Sequence, residues 1–388
     1  MAQAEFVITE VNDKAGREAF VDLLYRLNAD DPNFVPQLRS EEIERYTPGG
    51  NPYFEHARCQ LFLARRGNAV VGRIAAHIDE LALAQPPEQG MGPGTGMWGA
   101  LQAEDGEIAA ALIQRAEAWL RGQGMNRVLA PMTLSVWEEP GLLVKGFDHP
   151  PTIMMGHNPP HHRGWIEGAG YQGVKTLATY DLDITKPFPP LIQRIVQSGE
   201  KNARIRIRDV DLKNFDREVE TICAILNDAW SDNWGFVPFT PTEIAYTAKK
   251  MKPLVKPDLV RMAEYDGEPV AFMITLPDAN QIQLKAVGRN GKPSLLGWIK
   301  LGLWMLRTKP ADMRVPLMGV VKRLQSSRMA SQLAFMMIET IRQASVSHYQ
   351  GKRGEIGWIL DDNQGMNAIA EAIDAKVNKE YLVFEKSL

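Results

Sequence analysis

Seven carboxylate and imidazole side chains fall within the 27 residues from Trp137 to Arg163: Glu138, Glu139, Asp148, His149, His157, His161 and His162. Four of the seven histidines of the chain are among them, so this segment has the best supply of acid–base groups. An imidazole titrates near neutral pH, and burial lifts a carboxylate toward it. Glu138, His157 and His161 are therefore candidates for a general base, with the Asn158 amide beside them to hold a substrate. The plain alternative is a polar, partly exposed loop. Zinc is a weaker match. His157 and His161 have the four-residue spacing of a helical ligand pair, but Pro159 and Pro160 stand between them, so no single helical face presents both. No metal is expected. His77 closes an apolar strand beside Asp79, as a hydrogen-bonded structural histidine does. Cys59 and Cys223, the only cysteines, sit among apolar neighbours and read as small core residues.

A different chemistry is suggested by charge. From Lys292 to Arg328 eight basic residues stand against the single acid Asp312, although the whole chain has a formal net charge of -3. Such a stretch attracts cofactor phosphates, nucleic acid or an anionic lipid surface. Aliphatic residues rather than stacking aromatics lie between the charges, which argues against nucleic acid. Leu295 to Leu306 is an apolar run with two Trp and bracketing cations, too short to span a bilayer. It has the composition of an interfacial helix, hence peripheral membrane contact, and equally that of a core helix covering a site. Upstream, Trp230, Asn233 and Trp234 end a predicted helix. The two Trp can wall a hydrophobic tunnel or pack a core.

The elements that must position these groups come in two copies. Leu63 to Asp79 and Met262 to Asp278 read as one piece of structure: a strand ending in Ala, a charged turn with Gly67 or Gly267, and an apolar strand closing on Asp. Each is followed by an irregular stretch and a long amphipathic helix, Glu107 to Arg121 and Met329 to Gln343. Further strands are predicted at Arg127 to Met132, Val174 to Asp183, Pro316 to Val321, Glu355 to Leu360 and Lys379 to Glu385. The order implies an α/β (α+β) fold of two tandem domains, 1–183 and 201–388, each a mixed, mostly antiparallel sheet flanked by helices. The stretch 184–200, opening on KPFPP, reads as a linker. A length of 388 residues suits two domains. With two cysteines and no basic, apolar leader in the opening residues, a cytoplasmic protein without a signal peptide is expected.

Between the predicted strand Pro316 to Val321 and the following helix lies Gln325-Ser326-Ser327-Arg328-Met329-Ala330. It resembles the Q/R-x-x-G-x-G/A loop of the GNAT acyltransferases in its first and last positions, with Arg328 where that family has its central Gly. Over nearly its whole length the chain is also similar to a group of bacterial tandem-GNAT proteins that includes bacterial ceramide synthases. The strings that carry this are Asp31 to Pro36, Asn51 to His56, Val71 to His77, Gly146 to Pro151 and Trp230 to Pro238. The resemblance implies that the second half holds acetyl-CoA or a longer acyl-CoA as co-substrate. Gly319, Val320 and Val321 would lie along the thioester, with an oxyanion donor near Gly319 or Val320. Gln325, Ser326, Ser327, Arg328, Met329 and Ala330 would face the pyrophosphate, helped by the free amides of a helix start, and Asn363 would stand near the cofactor. The family's thiol-protonating Tyr falls at Ala370, which leaves Tyr381 as a substitute. Trp230, Asn233, Trp234 and Asn158 would contact the acceptor. The corresponding first-half stretch, Leu101 to Glu107, is acidic and would repel a pyrophosphate. The first half is then a degenerate copy completing the cleft through its His-rich segment. The implied function is N-acylation of a small-molecule, hydrophobic or lipid amine resembling a sphingoid base, in the cytoplasm or at the inner membrane face. A GNAT-fold ligand-binding protein without catalysis is the alternative.

Overall fold

A computed structural model describes residues 5–306 and 311–388; Arg307 and Lys309 of the basic stretch lie outside the described residues. Among the described residues thirteen strands form one sheet. In chain order they are β1 (Val7–Val11), β2 (Ala57–Arg66), β3 (Ala69–Asp79), β4 (Thr95–Ala103), β5 (Arg127–Ala130), β6 (Leu142–Lys145) and β7 (Gln172–Asp183), then β8 (Ile205–Asp209), β9 (Val260–Tyr265), β10 (Glu268–Pro277), β11 (Asp312–Val320), β12 (Arg353–Leu360) and β13 (Lys376–Ser387). Across the sheet the order is β1-β2-β3-β4-β5-β13-β7-β12-β11-β10-β9-β8, with β6 also on β13. Only β4/β5 and β11/β12 are parallel pairs.

The halves exchange their closing strands. β7 belongs to the first half by sequence but pairs with β12 of the second, Gly354 opposite Leu182. β13, the end of the chain, pairs with β5 of the first half, Phe384 opposite Ala130. The two exchanged strands also pair with each other, Tyr381 opposite Leu177, so one ladder runs unbroken through both copies.

Eight helices matter below: α1 (Lys14–Leu27), α2 (Gly106–Gly122), α3 (Pro190–Glu200), α4 (Phe215–Trp230), α5 (Pro241–Met251), α6 (Leu295–Leu306), α7 (Arg328–Tyr349) and α8 (Gln364–Ala372). Their starts follow from local chemistry. Asp13, Asp105 and Asn363 each cap a helix by accepting an amide from the first turn. Thr240 and Glu243 form a reciprocal capping box around Pro241, the first residue of α5. In the repeated hairpin of the second half, Asp266 and Gly267 both have positive φ, 53° and 81°, as a two-residue turn between twisted strands requires. α2 buries Ile108, Leu112 and Ala116 on Phe62, Ile74 and Val128, and α7 buries Leu333, Met337 and Ile341 on Ala263, Ala271 and Ile356. The 184–200 stretch contains α3, whose Ile192, Val196 and Gly199 are buried. Gly199 sits so close to α7 that a Cβ there would lie 2.2 Å from Met336 Sδ.

Candidate active site

β11 and β12 pair only from Asp312 opposite Arg353 to Val315 opposite Ile356, and then diverge. The gap between their far ends is the first element of the site. Val321 donates its amide to Val270 O at 2.9 Å. Ladder alternation then turns the backbone of Val320 and Met318 away from β10, toward the gap, and that of Gly319 toward β10. Two carbonyl contacts agree: Val320 O accepts from Gln325 Nε2 at 2.9 Å and Met318 O from Trp230 Nε1 at 3.0 Å. Of the three strand positions expected to meet a thioester, Val320 thus offers its N–H to the gap, while those of Gly319 and Val321 serve the ladder. Met318, which sequence reasoning passed over, offers a second. A cleft of about 90 Å³ in the gap is lined by Trp137, Trp230, Asn233, Trp234, Trp358 and Asn363, among others. The Asn363 side chain accepts the Met366 amide as the α8 cap, at 3.1 Å.

The second element is the start of α7. Ser327 is its N-cap residue but makes no side-chain cap, because its hydroxyl donates backward to Leu324 O at 2.6 Å. The leading amides of a 22-residue helix are left without a side-chain acceptor, which is what an anion-binding helix start needs. Arg328 is exposed at the first helical position, as are Gln325, Ser326 and Ser327 before it, while Met329 and Ala330 are half-buried. Gln325 Nε2 also donates to Ala229 O at 2.9 Å and so ties the loop to α4.

The first half has the same two elements in a closed state. β4 and β5 pair only from Thr95 opposite Arg127 to Met97 opposite Leu129. Beyond that the gap is filled: a Cβ on Gly99 would lie 2.3 Å from Met132 O, and Ala100 N donates to Thr133 Oγ1. At the head of α2 the Asp105 carboxylate accepts the Ile108 amide at 2.9 Å, so an internal anion already occupies that end. The gap and the helix start are thus open in the second half and closed in the first.

A second cavity, of about 170 Å³, meets the cleft at Trp137, Pro316, Leu317 and Trp358. α4 and α5 supply most of its apolar wall, including Phe215, Ile222, Leu226, Ile244 and Met251, and the first half contributes Asn51, Tyr53 and Glu138. Trp137 stacks on Phe239 at 4.2 Å and Trp230 at 5.7 Å between ring centroids. Trp234 is held by the backbone of Gly90, where φ is 87° and a Cβ would lie 2.2 Å from its Nε1.

Glu138 and Arg314 stand among the polar groups of this wall, with Glu243 as a second carboxylate. Glu138 accepts from Asn51 Nδ2 at 3.1 Å and pairs with Arg45 at 2.8 Å. Arg45 is shared with Glu42 at 3.3 Å and Glu139 at 2.8 Å, three carboxylates around one guanidinium. Burial pushes Glu138 above the ordinary carboxylate range, outweighing the opposing pull of Arg45 and Asn51. Arg314 is 1% exposed; it donates from Nη1 to Val315 O and from Nη2 to Met155 Sδ, and its Nε has no partner. Cys223 also lines the cavity, with its thiol pushed by burial up to about 11, so it carries little thiolate near neutrality.

The remaining expected site residues are dispersed. His157 is almost buried, its Nε2 donating to Asp31 at 2.7 Å, and Asn158 binds the Leu143 backbone. Both line a separate first-half pocket. His161 is exposed and packs on Trp165. Tyr381 is buried with its hydroxyl on Gly156 O at 3.1 Å, and burial raises its pKa. It does not line the cleft or the cavity. Among the described residues no group of three or more His, Cys, Asp or Glu could hold a metal. His77 is buried between Tyr53 OH and Met132 O, and burial lowers it to about 4, leaving it neutral.

His56 was not singled out, yet it ties the halves beside the cavity. Its Nδ1 donates to Asp79 at 2.9 Å, and its Nε2 lies 3.1 Å from Glu243 on α5. Burial alone would depress its pKa, but the two carboxylates overcome it and raise it to about 10. The folded pKa exceeds the ordinary 6.5, so this contribution to stability is complete below pH 6.5 and fades as pH rises toward 10. His56→Gln is expected to cost about 3 kcal/mol near pH 6, with the gap to the parent closing by pH 10, as denaturant melts across that range would read. A pH-independent gap would refute the charged assignment.

No family model matches the chain. It is 40% identical over 387 residues to the bacterial ceramide synthase of Caulobacter vibrioides, covering 99% of this chain and 98% of that protein. It is 35% identical over 379 residues to protein YghO of Escherichia coli, covering 97% and 94%. Among solved structures, a tandem GNAT protein from the clavulanic acid biosynthesis pathway has the same fold, with a TM-score of 0.55 at 12% identity over 99% of this chain and 98% of that one.

Proposed function

We propose that this chain, which belongs to the family of the bacterial ceramide synthase and has a tandem GNAT fold, is an N-acyltransferase. It would move a fatty acyl group from acyl-CoA to a long-chain amine. The observation that carries the reading is one juxtaposition: a strand gap with inward amides and an uncapped helix start, abutting an apolar cavity with a lifted carboxylate.

The start of α7 would hold the pyrophosphate, and the gap between β11 and β12 the pantetheine arm. The thioester supplies an activated acyl carbon. The Met318 and Val320 amides face the gap in which negative charge builds on the acyl oxygen, and each such donor contributes more in a site closed to water. Hydrocarbon of the amine fills the cavity against α4 and α5. Glu138 takes the ammonium proton, because only a neutral amine attacks a carbonyl, and burial makes it a stronger base than an ordinary carboxylate. Arg314 offers its spare Nε–H to an oxygen on the amine's head, which supports an amine with a neighbouring hydroxyl or carbonyl. A thiolate has a conjugate pKa of about 8.5, so it leaves with little help, and it takes the second proton that the attacking nitrogen sheds as the amide forms.

Titration calorimetry with acetyl-CoA, a long-chain acyl-CoA and free CoA should give micromolar binding of one equivalent, and a thiol-release assay should respond to a long-chain amine. Absence of thioester binding would end the proposal. Tight binding with no transfer to any amine would leave a binding protein, the reading that Ala370 in place of a tyrosine favours.

A further inference from the structure

We propose that α6 is the face through which this protein lies on an anionic lipid bilayer. The helix has one buried residue, Gly297, packed so closely that a Cβ there would lie 2.2 Å from Ala286 O. Leu295, Leu296, Trp298, Ile299, Leu303 and Leu306 are between 49% and 83% exposed. At about 100° per residue they span an arc of roughly 160° centred opposite Gly297. An outward face of this size and hydrophobicity is a surface that something covers.

Charge selects the occupant. No acidic residue occurs from Ala279 to Ala311, while Lys285, Arg289, Lys292 and Lys300 are exposed around the helix. A second copy seated face to face would bring these cations together, whereas an anionic surface neutralises them. Trp298 and the flanking lysines suit the level of the headgroups, with leucines below. No helix among the described residues is long and apolar enough to cross a membrane, so contact through α6 is lateral. The helix also stands against the site: Lys256 Nζ reaches Met305 O at 3.4 Å, and its neighbour Val255 lines the apolar cavity. A bilayer under α6 would thus adjoin the wall through which a membrane-borne amine could enter, a consequence that rests on the lipid-amine reading.

Sedimentation with vesicles tests the surface separately from catalysis. The parent should pellet with phosphatidylcholine vesicles containing phosphatidylglycerol, and about tenfold less with phosphatidylcholine alone or in high salt. Leu296→Glu with Leu303→Glu, both on the exposed arc, should lose binding about tenfold or more while keeping its melting temperature. No binding by the parent, or binding that the double variant retains, overturns the proposal. So does a concentration-dependent dimer that the same variant dissolves in the absence of lipid. Vesicle binding by a protein that transfers no acyl group would instead sink the catalytic reading and leave this one standing.

Discussion

Exchange of Glu138 for glutamine is expected to lower kcat by about 10²- to 10⁴-fold, the usual loss when a positioned general base is removed. Glutamine keeps an acceptor for Asn51 and nearly the same volume, so thioester affinity should stay within about twofold. The control is Glu139→Gln. Glu139 shares Arg45 but does not line the apolar cavity, so its loss perturbs the same ion cluster without removing the base. The pH profile separates a base from a structural partner. Burial raises the pKa of Glu138, so parental turnover should fall as pH drops through that raised value and protonates the carboxylate. The variant's residual rate should lack that limb and follow the ionisation of the free amine alone. A kcat for Glu138→Gln within about threefold of the parent, with the acid limb intact, would remove Glu138 from the chemistry.

That residue also marks how far the sequence could be read. Glu138 was legible as one of seven carboxylate and imidazole groups in a crowded segment, but nothing in their order separated it from His157 or His161. The separation is tertiary. Trp137 and Glu138 turn toward α4 and α5, while His157 turns back to Asp31 in the first half and His161 stays on the surface. Local signals served well where the physics is local: the turn at Gly267 and the acidic head of α2 do what their residue types imply. The acidic stretch that was expected to repel a pyrophosphate places Asp105 where such an anion would bind.

Long-range partners left no such trace. The exchange of β7 and β13 depends on which edge each strand finds, and an alternating apolar pattern is the same on either side of a sheet. Arg45 and Asn51 are about ninety residues from the carboxylate they hold, and His56 nearly two hundred from Glu243. Asn51 and His56 both lie in the Asn51 to His56 string that carried the family resemblance. A polar residue embedded in such a string was the available hint, and it needed the fold to become a role. The Met318 amide could not be found by residue type at all, because a backbone donor carries no side-chain signature.

Charge reversal at Arg328 carries the second large effect, a loss of about 10- to 100-fold in CoA affinity. Arg328 is exposed at the first position of α7, beside amides that no side chain caps. Glutamate there removes a cation and adds an anion next to the phosphates, whereas Arg328→Ala should cost about 3- to 10-fold, since the amides and helix dipole remain. Misfolding cannot imitate the result, because an acidic residue in the first turn stabilises a helix. Arg328→Glu should therefore melt at or above the parental temperature while binding ligand less well, two readouts of opposite sign. Raised salt should narrow the affinity gap, as screening of an exposed charge requires. Neutralising the first-half acids, with Glu104→Gln and Asp105→Asn together, should not create a second binding equivalent, because Met132 and Thr133 still fill that gap. Unchanged CoA affinity in Arg328→Glu would move the pyrophosphate away from α7, and a stoichiometry of two in the first-half variant would show that gap to be open.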